Sequence, residues 1–364
     1  GREIKADYLK SCRYRPHVEV DKALWGGELP WYREWVTNTH GSDPYWKEGF
    51  WKFMSDAPRK LKVPVCIVEG WYDHHLGSAL ESFKNLSLEA AAHSRLVIGC
   101  WNHGFQPCAQ GKVQEHLEND EVHQVLDWFG ETLLEKKSPA RRVDWYVIGE
   151  DAWRSWSDIP AGQIELVFYL DAGRKRLEGK AEADREISYQ YDPENPVMSR
   201  GAESLFASFQ EVGSLEQPEP DYRPDVVSFL SEPLEQSVTL LGEAKVELFV
   251  KSTAEDTAFT AKLMEVTSEG KAYNIRGSIA TLAYETPYVP GEVRKITVSM
   301  WAAAYQIQSG SRLRLDISSS DFPQYAIHPN LPGIWAKQES TQTACQTILT
   351  GESYPSRAVL PVGE

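Results

Sequence analysis

Basic charge, cysteine and long apolar runs are all scarce in this chain of 364 residues, and each scarcity excludes something. There are 38 Lys and Arg against 53 Asp and Glu, a formal net charge of −15. Nucleic acids and anionic bilayers are gripped by clustered Lys and Arg, so neither is expected as a partner. No apolar run approaches the ~18–20 residues a membrane-spanning helix needs. The five cysteines (12, 66, 100, 108 and 345) are few and odd in number. That favours free thiols in a reducing, cytoplasmic compartment over a disulfide scaffold. The first residues, Gly1-Arg2-Glu3-Ile4-Lys5, lack the apolar core of a secretory signal and do not begin with Met. The absence that matters most is chemical: no G-x-S-x-G pentapeptide occurs anywhere in the sequence.

What is present is aromatic and patterned. Thirteen Trp and 16 Tyr suit broad sheets and a lined pocket. Residues 1–60 place large rings at helical spacings, as in Trp31-Tyr32-Arg33-Glu34-Trp35 and Tyr45-Trp46-Lys47-Glu48-Gly49-Phe50-Trp51, so a small helical layer is expected there. Residues 61–140 follow β-α-β-α logic. Apolar strands are expected at 63–69 and 95–100, an amphipathic helix at 77–92 and another at 114–135. Two strands do not make a stable doubly wound sheet, so the others are expected from residues outside this chain. From 141 to 364 the pattern becomes short runs of period two, such as 143–148, 164–170 and 244–250. More follow at 258–266, 278–284, 293–300, 312–318, 341–349 and 357–362, which predicts a jelly-roll β-sandwich. The stretch 193–225 reads as a surface excursion. The fold class is thus α/β followed by all-β.

Chemistry concentrates at two strand ends. Val63-Pro64-Val65-Cys66-Ile67-Val68-Glu69-Gly70-Trp71-Tyr72 delivers Asp73, and Arg95-Leu96-Val97-Ile98-Gly99-Cys100-Trp101-Asn102 delivers His103. An acid followed about thirty residues later by a histidine, each at the carboxyl end of a buried strand, is the order of the last two triad members in α/β-hydrolases. Taken singly, Asp73 could cap the next helix and His103 could be a satisfied core histidine; the spacing gives the pair its weight. Asp73 would fix the tautomer of His103, and His103 would take the proton from an attacking serine. Ser78 lies too close to Asp73, at a helix start, to be that serine. His74 and His75 share the acid's strand end, where a pocket wall and a solvated loop are both open readings. The zinc-type set Cys100, His103, Cys108, His116 and His123, with His74 and His75 nearby, matches no structural zinc spacing, so no metal is expected.

Gly70-Trp71-Tyr72-Asp73 and Gly99-Cys100-Trp101-Asn102-His103-Gly104 resemble the acid and histidine motifs of the X-prolyl dipeptidyl-peptidase, cocaine esterase and α-amino-acid ester hydrolase group of serine hydrolases. The likeness extends along nearly the whole chain. His40-Gly41-Ser42-Asp43-Pro44-Tyr45-Trp46 is similar to that family's cap, and Val147-Ile148-Gly149-Glu150-Asp151-Ala152-Trp153-Arg154 to the entry of its β-domain. Tyr191-Asp192-Pro193, Phe229-Leu230-Ser231-Glu232-Pro233, Asp256-Thr257-Ala258-Phe259-Thr260 and Ser319-Ser320-Asp321-Phe322-Pro323 resemble successive jelly-roll landmarks. The resemblance implies the end of a helical cap at 1–60, the last strands and helix of an α/β-hydrolase core at 61–140, and a jelly roll at 141–364. It implies that Asp73 and His103 are the catalytic acid and base, with the serine and an oxyanion-hole tyrosine in an N-terminal portion outside this sequence. Departures stand at Cys100, where the family usually has Pro, at His74, where it often has Gly, and at the turn His328-Pro329-Asn330-Leu331-Pro332-Gly333.

The expectation is therefore a serine hydrolase of small-molecule esters or amides, working through an acyl-enzyme and needing no metal or organic cofactor. Trp46, Trp71, His75, Trp101 and Phe105 are the candidates for lining its substrate pocket. Its expected partners are the N-terminal hydrolase portion and the substrate, and the reading leaves room for a homodimer. The competing reading is a non-catalytic β-sandwich interaction module carrying a degenerate hydrolase remnant.

Overall fold

Five short helices, Tyr8–Cys12, Val20–Trp25, Pro30–Thr37, Pro44–Lys47 and Gly49–Lys60, form the aromatic layer expected at the front of the chain. The computed structural model describes residues 8–104, 106, 108–201, 203 and 212–363. Pro30 and Pro44 each open a helix, where a fixed φ and a missing N–H cost nothing. The rings pack edge to face: Trp31 on Trp35 at 5.1 Å between centroids and Trp35 on Trp51 at 5.6 Å. The buried Asp21 fastens the layer, accepting hydrogen bonds from Arg33 Nε and the Leu29 amide, both at 2.8 Å. The Arg33 guanidinium, against the opposing effect of burial, holds that carboxyl far below the usual carboxylate range.

The two apolar runs become adjacent parallel strands, Cys66–Tyr72 (the acid strand) and Arg95–Asn102 (the histidine strand). Their register runs from Cys66 opposite Arg95 to Gly70 opposite Gly99, then shifts to set Tyr72 opposite Asn102. The helix expected over 77–92 is two helices, Leu76–Lys84 and Leu88–Ala91. Ser87 breaks it by accepting the Ala90 amide at 3.1 Å as an N-cap. The helix expected over 114–135 likewise begins as a single turn, Glu115–Leu117, and continues as Asp120–Phe129. Asn119, at φ 60°, separates the two.

A larger difference concerns the strand at 143–148, expected as the first of the β region. Arg142–Val147 instead pairs parallel with the histidine strand, and Ala152–Trp156 pairs antiparallel with it. Among the described residues the α/β part therefore has four strands, and the boundary expected at 140/141 leads directly into its own sheet. Asp144 accounts for the alternating pattern of this strand. It gives the run a polar alternation, yet it is buried, accepting from Arg95 Nε at 2.7 Å and Arg142 Nε at 2.6 Å.

Among the described residues, the β region is one eleven-stranded sheet. Its order is Ala272–Thr281, Ala258–Val266, Arg312–Ser318, Val227–Leu230, Arg176–Glu178, Ile164–Asp171, Arg357–Val362, Val238–Ser252, Ala344–Thr350 and Arg185–Tyr191, with Arg294–Ile307 also on Val238–Ser252. All pairings are antiparallel except Val227–Leu230 on Arg176–Glu178. The strand expected at 278–284 begins six residues earlier, because Asn274 and Arg276 are buried polar residues that disguise its start. The 193–225 excursion is anchored over its described part: Ser214 and Gln217 are buried, and Arg314 donates to the Pro218 and Glu219 carbonyls.

The α/β and β regions share backbone and a buried cation. Ile148 N–H bonds the Ala304 carbonyl at 3.1 Å, and Gln306 N–H bonds the Ile148 carbonyl at 2.7 Å. Arg276 of the β sheet, 3% exposed, reaches the Trp71 carbonyl at 2.5 Å and pairs with buried Glu203. Among the described residues, no helix is long and apolar enough to cross a membrane.

Candidate active site

Asp73 and His103 meet at the carboxyl ends of neighbouring parallel strands. Asp73 Oδ2 lies 2.9 Å from His103 Nδ1. The Asp73 side chain is nearly inaccessible at 6% exposure, whereas the His103 side chain is 41% exposed. Asp73 does not cap the next helix, whose N-cap position is His75, but it braces the turn before it. Its Oδ1 accepts the His75 amide at 2.8 Å and so shapes the turn into the Leu76–Lys84 helix.

The close approach of the two strand ends depends on facing glycines. A Cβ on Gly70 would stand 2.3 Å from the Trp101 carbonyl oxygen, and one on Gly99 would stand 2.4 Å from the Trp101 ring. Trp101 is fully buried in the space these glycines leave, with its ring 5.9 Å from that of Trp153. The residue after it, Asn102, holds the following turn by accepting the amides of Gly104 at 2.9 Å and Gln106 at 3.1 Å. His103 is thereby presented on a short, hydrogen-bonded turn.

Electrostatics keep the acid ionised. Burial pushes the Asp73 carboxyl up, but the His75 amide, a hydrogen bond from Glu69 and the His103 imidazole together hold it below its ordinary value. Glu69, on the acid strand, goes the other way. Burial, then its hydrogen bond to Asp73 and that group's charge, push its carboxyl up to about 8. At neutral pH Glu69 therefore carries the proton and donates it to an ionised Asp73. With the carboxylate accepting, His103 Nδ1 carries its hydrogen and Nε2 is left as the basic nitrogen. Nothing in the sequence pattern marked Glu69 beyond its polar character in an apolar run.

The other expected residues divide. His75 is exposed beside the pair, its ring centroid 5.5 Å from that of His103. His74 is half-buried, with Nδ1 3.2 Å from Asp73 Oδ1 but without hydrogen-bond alignment. Burial and the neighbouring His75 lower its pKa. Trp71 is a core residue at 1% exposure, donating Nε1–H to the Tyr146 carbonyl at 2.7 Å and meeting Trp145 edge to face. Like the buried Trp101, it offers no surface to a ligand here and supports the strand ends from within. Trp46 sits in the helical layer against Tyr45 and Trp51, its Nε1–H on the Asn38 carbonyl. Phe105 lies outside the described residues. Ser78 donates to the His75 carbonyl at 2.8 Å, a helix-start role.

The zinc-type residues weighed in the sequence do not assemble as one set among the described residues. Cys100 Sγ donates to the Cys108 carbonyl at 2.9 Å, and burial pushes both thiols up, Cys108 to about 12. His116 pairs with Tyr146 and Asp151, and His123 is exposed. Among the described residues, those that do converge are His74, His75 and His103.

A mixed sheet with an acid–histidine pair at the ends of two parallel strands, an aromatic helical layer before it and a large sheet region behind it, is consistent with a hydrolase fold joined to a sheet-rich region. The chain belongs to the X-Pro dipeptidyl-peptidase family. Residues 136–359, more than half of the chain, match the X-Pro dipeptidyl-peptidase C-terminal non-catalytic domain, and residues 6–105 match the X-Pro dipeptidyl-peptidase S15 family. A cocaine esterase of Rhodococcus sp. (strain MB1 Bresler) is 29% identical over 374 residues, covering 94% of this chain and 63% of that protein. An aminopeptidase from a marine sediment archaeon (Thaumarchaeota) superposes with a TM-score of 0.79 at 20% identity, over 100% of this chain and 64% of its own. An α-amino acid ester hydrolase gives the same TM-score at 22% identity, over 100% and 65%. The chain thus spans under two thirds of the length of each of these relatives.

Proposed function

We propose that this chain supplies the acid, Asp73, and the base, His103, of a serine hydrolase acting on acyl esters or amides, with the serine contributed by residues outside this sequence. The observation that carries the reading is the 2.9 Å contact between a buried carboxylate and the Nδ1 of an exposed histidine at adjacent strand ends. The S15 match over residues 6–105 and the esterase relative support it. Residues 1–60 are taken as the end of the cap and 61–140 as the last part of the hydrolase core. The 141–364 region is taken as a jelly roll whose first strands complete the core sheet.

In this mechanism the serine Oγ bonds to the acyl carbon as its proton passes to His103 Nε2. Asp73 stabilises the imidazolium without taking the proton. The imidazolium then protonates the departing oxygen or nitrogen as its bond to carbon breaks, leaving the acyl-enzyme. Water repeats the sequence: its proton goes to Nε2, its oxygen to the acyl carbon, and the serine recovers its hydrogen. His75 forms part of the wall over the reacting carbon, and no metal or organic cofactor enters.

The test uses the full-length polypeptide with a nitrophenyl ester and a fluorophosphonate probe. The full-length protein should turn over the ester and label at serine, while the 364-residue chain alone should do neither. His103→Ala should lower kcat by about 10³-fold or more. Unchanged turnover in that variant refutes the assignment, and a full-length protein that neither hydrolyses nor labels favours a non-catalytic interaction module.

A further inference from the structure

Three imidazoles converge where the mechanism uses one. His74 and His75 follow Asp73 on the turn into the Leu76–Lys84 helix, and His103 comes from the neighbouring strand end. One ring nitrogen from each lies within 4.8 Å of the others. The ring centroids are 3.8 Å apart for His74 and His75, 4.8 Å for His74 and His103, and 5.5 Å for His75 and His103. His75 and His103 are exposed, so an ion can reach the cluster from solvent.

The hydrogen bond that makes His103 a base also prepares it as a ligand. A carboxylate on Nδ1–H fixes the tautomer and aims the Nε2 lone pair outward, which is the usual support of a metal-bound imidazole. His74 Nδ1 stands near the second oxygen of the same carboxylate. Around a tetrahedral ion with metal–nitrogen bonds of ~2.0–2.1 Å, nitrogens sit ~3.3–3.4 Å apart, so closure needs shifts of about an ångström. Movement of the His74 and His75 rings toward His103, which stays on Asp73, supplies that. Three neutral imidazoles with an open fourth position suit zinc, copper, nickel or cobalt, and not the oxygen-seeking magnesium or calcium.

We propose that His74, His75 and His103 bind one divalent late transition-metal ion, and that the bound ion silences the hydrolase by occupying His103 Nε2. The binding stands on the geometry alone; the silencing rests on the function proposed above. An Nε2 lone pair donated to a metal is not available to the serine proton.

Cobalt(II) titration of the chain, followed by its ligand-field bands, tests the site directly. One ion per chain should bind with the visible spectrum of a four-coordinate nitrogen site, and zinc should displace it. His74→Gln and His75→Gln should each weaken binding about tenfold or more, with folding checked by circular dichroism. Cobalt affinity unchanged in both overturns the site. Should either variant fail to fold, diethylpyrocarbonate mapping of the unaltered chain decides instead. Zinc should protect His74, His75 and His103 and leave His40, His93, His116 and His123 reactive; the reverse pattern refutes the proposal. On the full-length protein, ester hydrolysis in chelator should fall at least tenfold on adding zinc, and the variants should blunt that ratio. Hydrolysis indifferent to zinc at saturating cobalt-site occupancy overturns the silencing. Absence of hydrolysis even in chelator removes the serine-hydrolase reading while the cobalt titration still judges the site.

Discussion

At Glu69, one carboxyl on a strand otherwise apolar changes the pH behaviour of its neighbour. Burial and the adjacent Asp73 raise it to about 8, so the folded chain holds this proton to a higher pH than the unfolded chain does. The folded state then binds more protons between about pH 4.5 and 8, and the group's contribution to stability is present below that window and lost as pH rises through it. Glu69→Gln keeps the hydrogen bond to Asp73 and removes the titration. The melting temperature of the variant should gain on the wild type as pH is raised from about 5.5 to about 9. A difference that stays flat across that range sinks the account. Cysteine gives a second test at this scale. Cys100 is buried with its Sγ on the Cys108 carbonyl, and burial keeps both thiols protonated. Iodoacetamide at neutral pH should leave both unmodified in the native chain and alkylate all five cysteines after denaturation; rapid native labelling of Cys100 would contradict the packing.

Among elements, the acid and histidine strands stand or fall together. Gly70 and Gly99 face each other in the ladder and admit Trp101 closer than any Cβ allows. Gly99→Ala pushes against a side-chain ring and should cost about 1–3 kcal/mol. Gly70→Ala meets a backbone carbonyl, which cannot swing away, and should cost more than Gly99→Ala. Chemical denaturation of the two variants ranks them, and equal, negligible losses would show that the strand ends have slack. These glycines were visible in the sequence as parts of two motifs, but their reason was not. Only the pairing register shows that both serve one tryptophan.

For the whole molecule, the joint between the α/β and β regions is where stability and site geometry connect. Arg276 is buried with Glu203, reaches the Trp71 carbonyl two residues before Asp73, and lies 5.7 Å from the Trp71 and Tyr72 ring centroids. Arg276→Met leaves Glu203 as an uncompensated buried charge and should destabilise by about 3–5 kcal/mol. Adding Glu203→Leu removes that charge and should restore much of the loss. A double variant no better than the single one would place the cost in the Trp71 contact instead. Thermal unfolding of the three proteins separates these outcomes.

The sequence by itself determined the strands that carry Asp73 and His103, the aromatic helical layer, and the largely antiparallel character of the remainder. Apolar runs, ring spacings and period-two alternation are local, and local patterns are written in the order of residues. Tertiary structure decided which strands share a sheet. Arg142–Val147 went to the α/β part because Arg95 and Arg142 neutralise Asp144 in its interior. It also decided that Trp71 and Trp101 are core, that Glu69 holds a proton beside the acid, and that His74 and His75 gather with His103. Each of those depends on what lies across a strand or a turn, a distance that residue spacing does not encode.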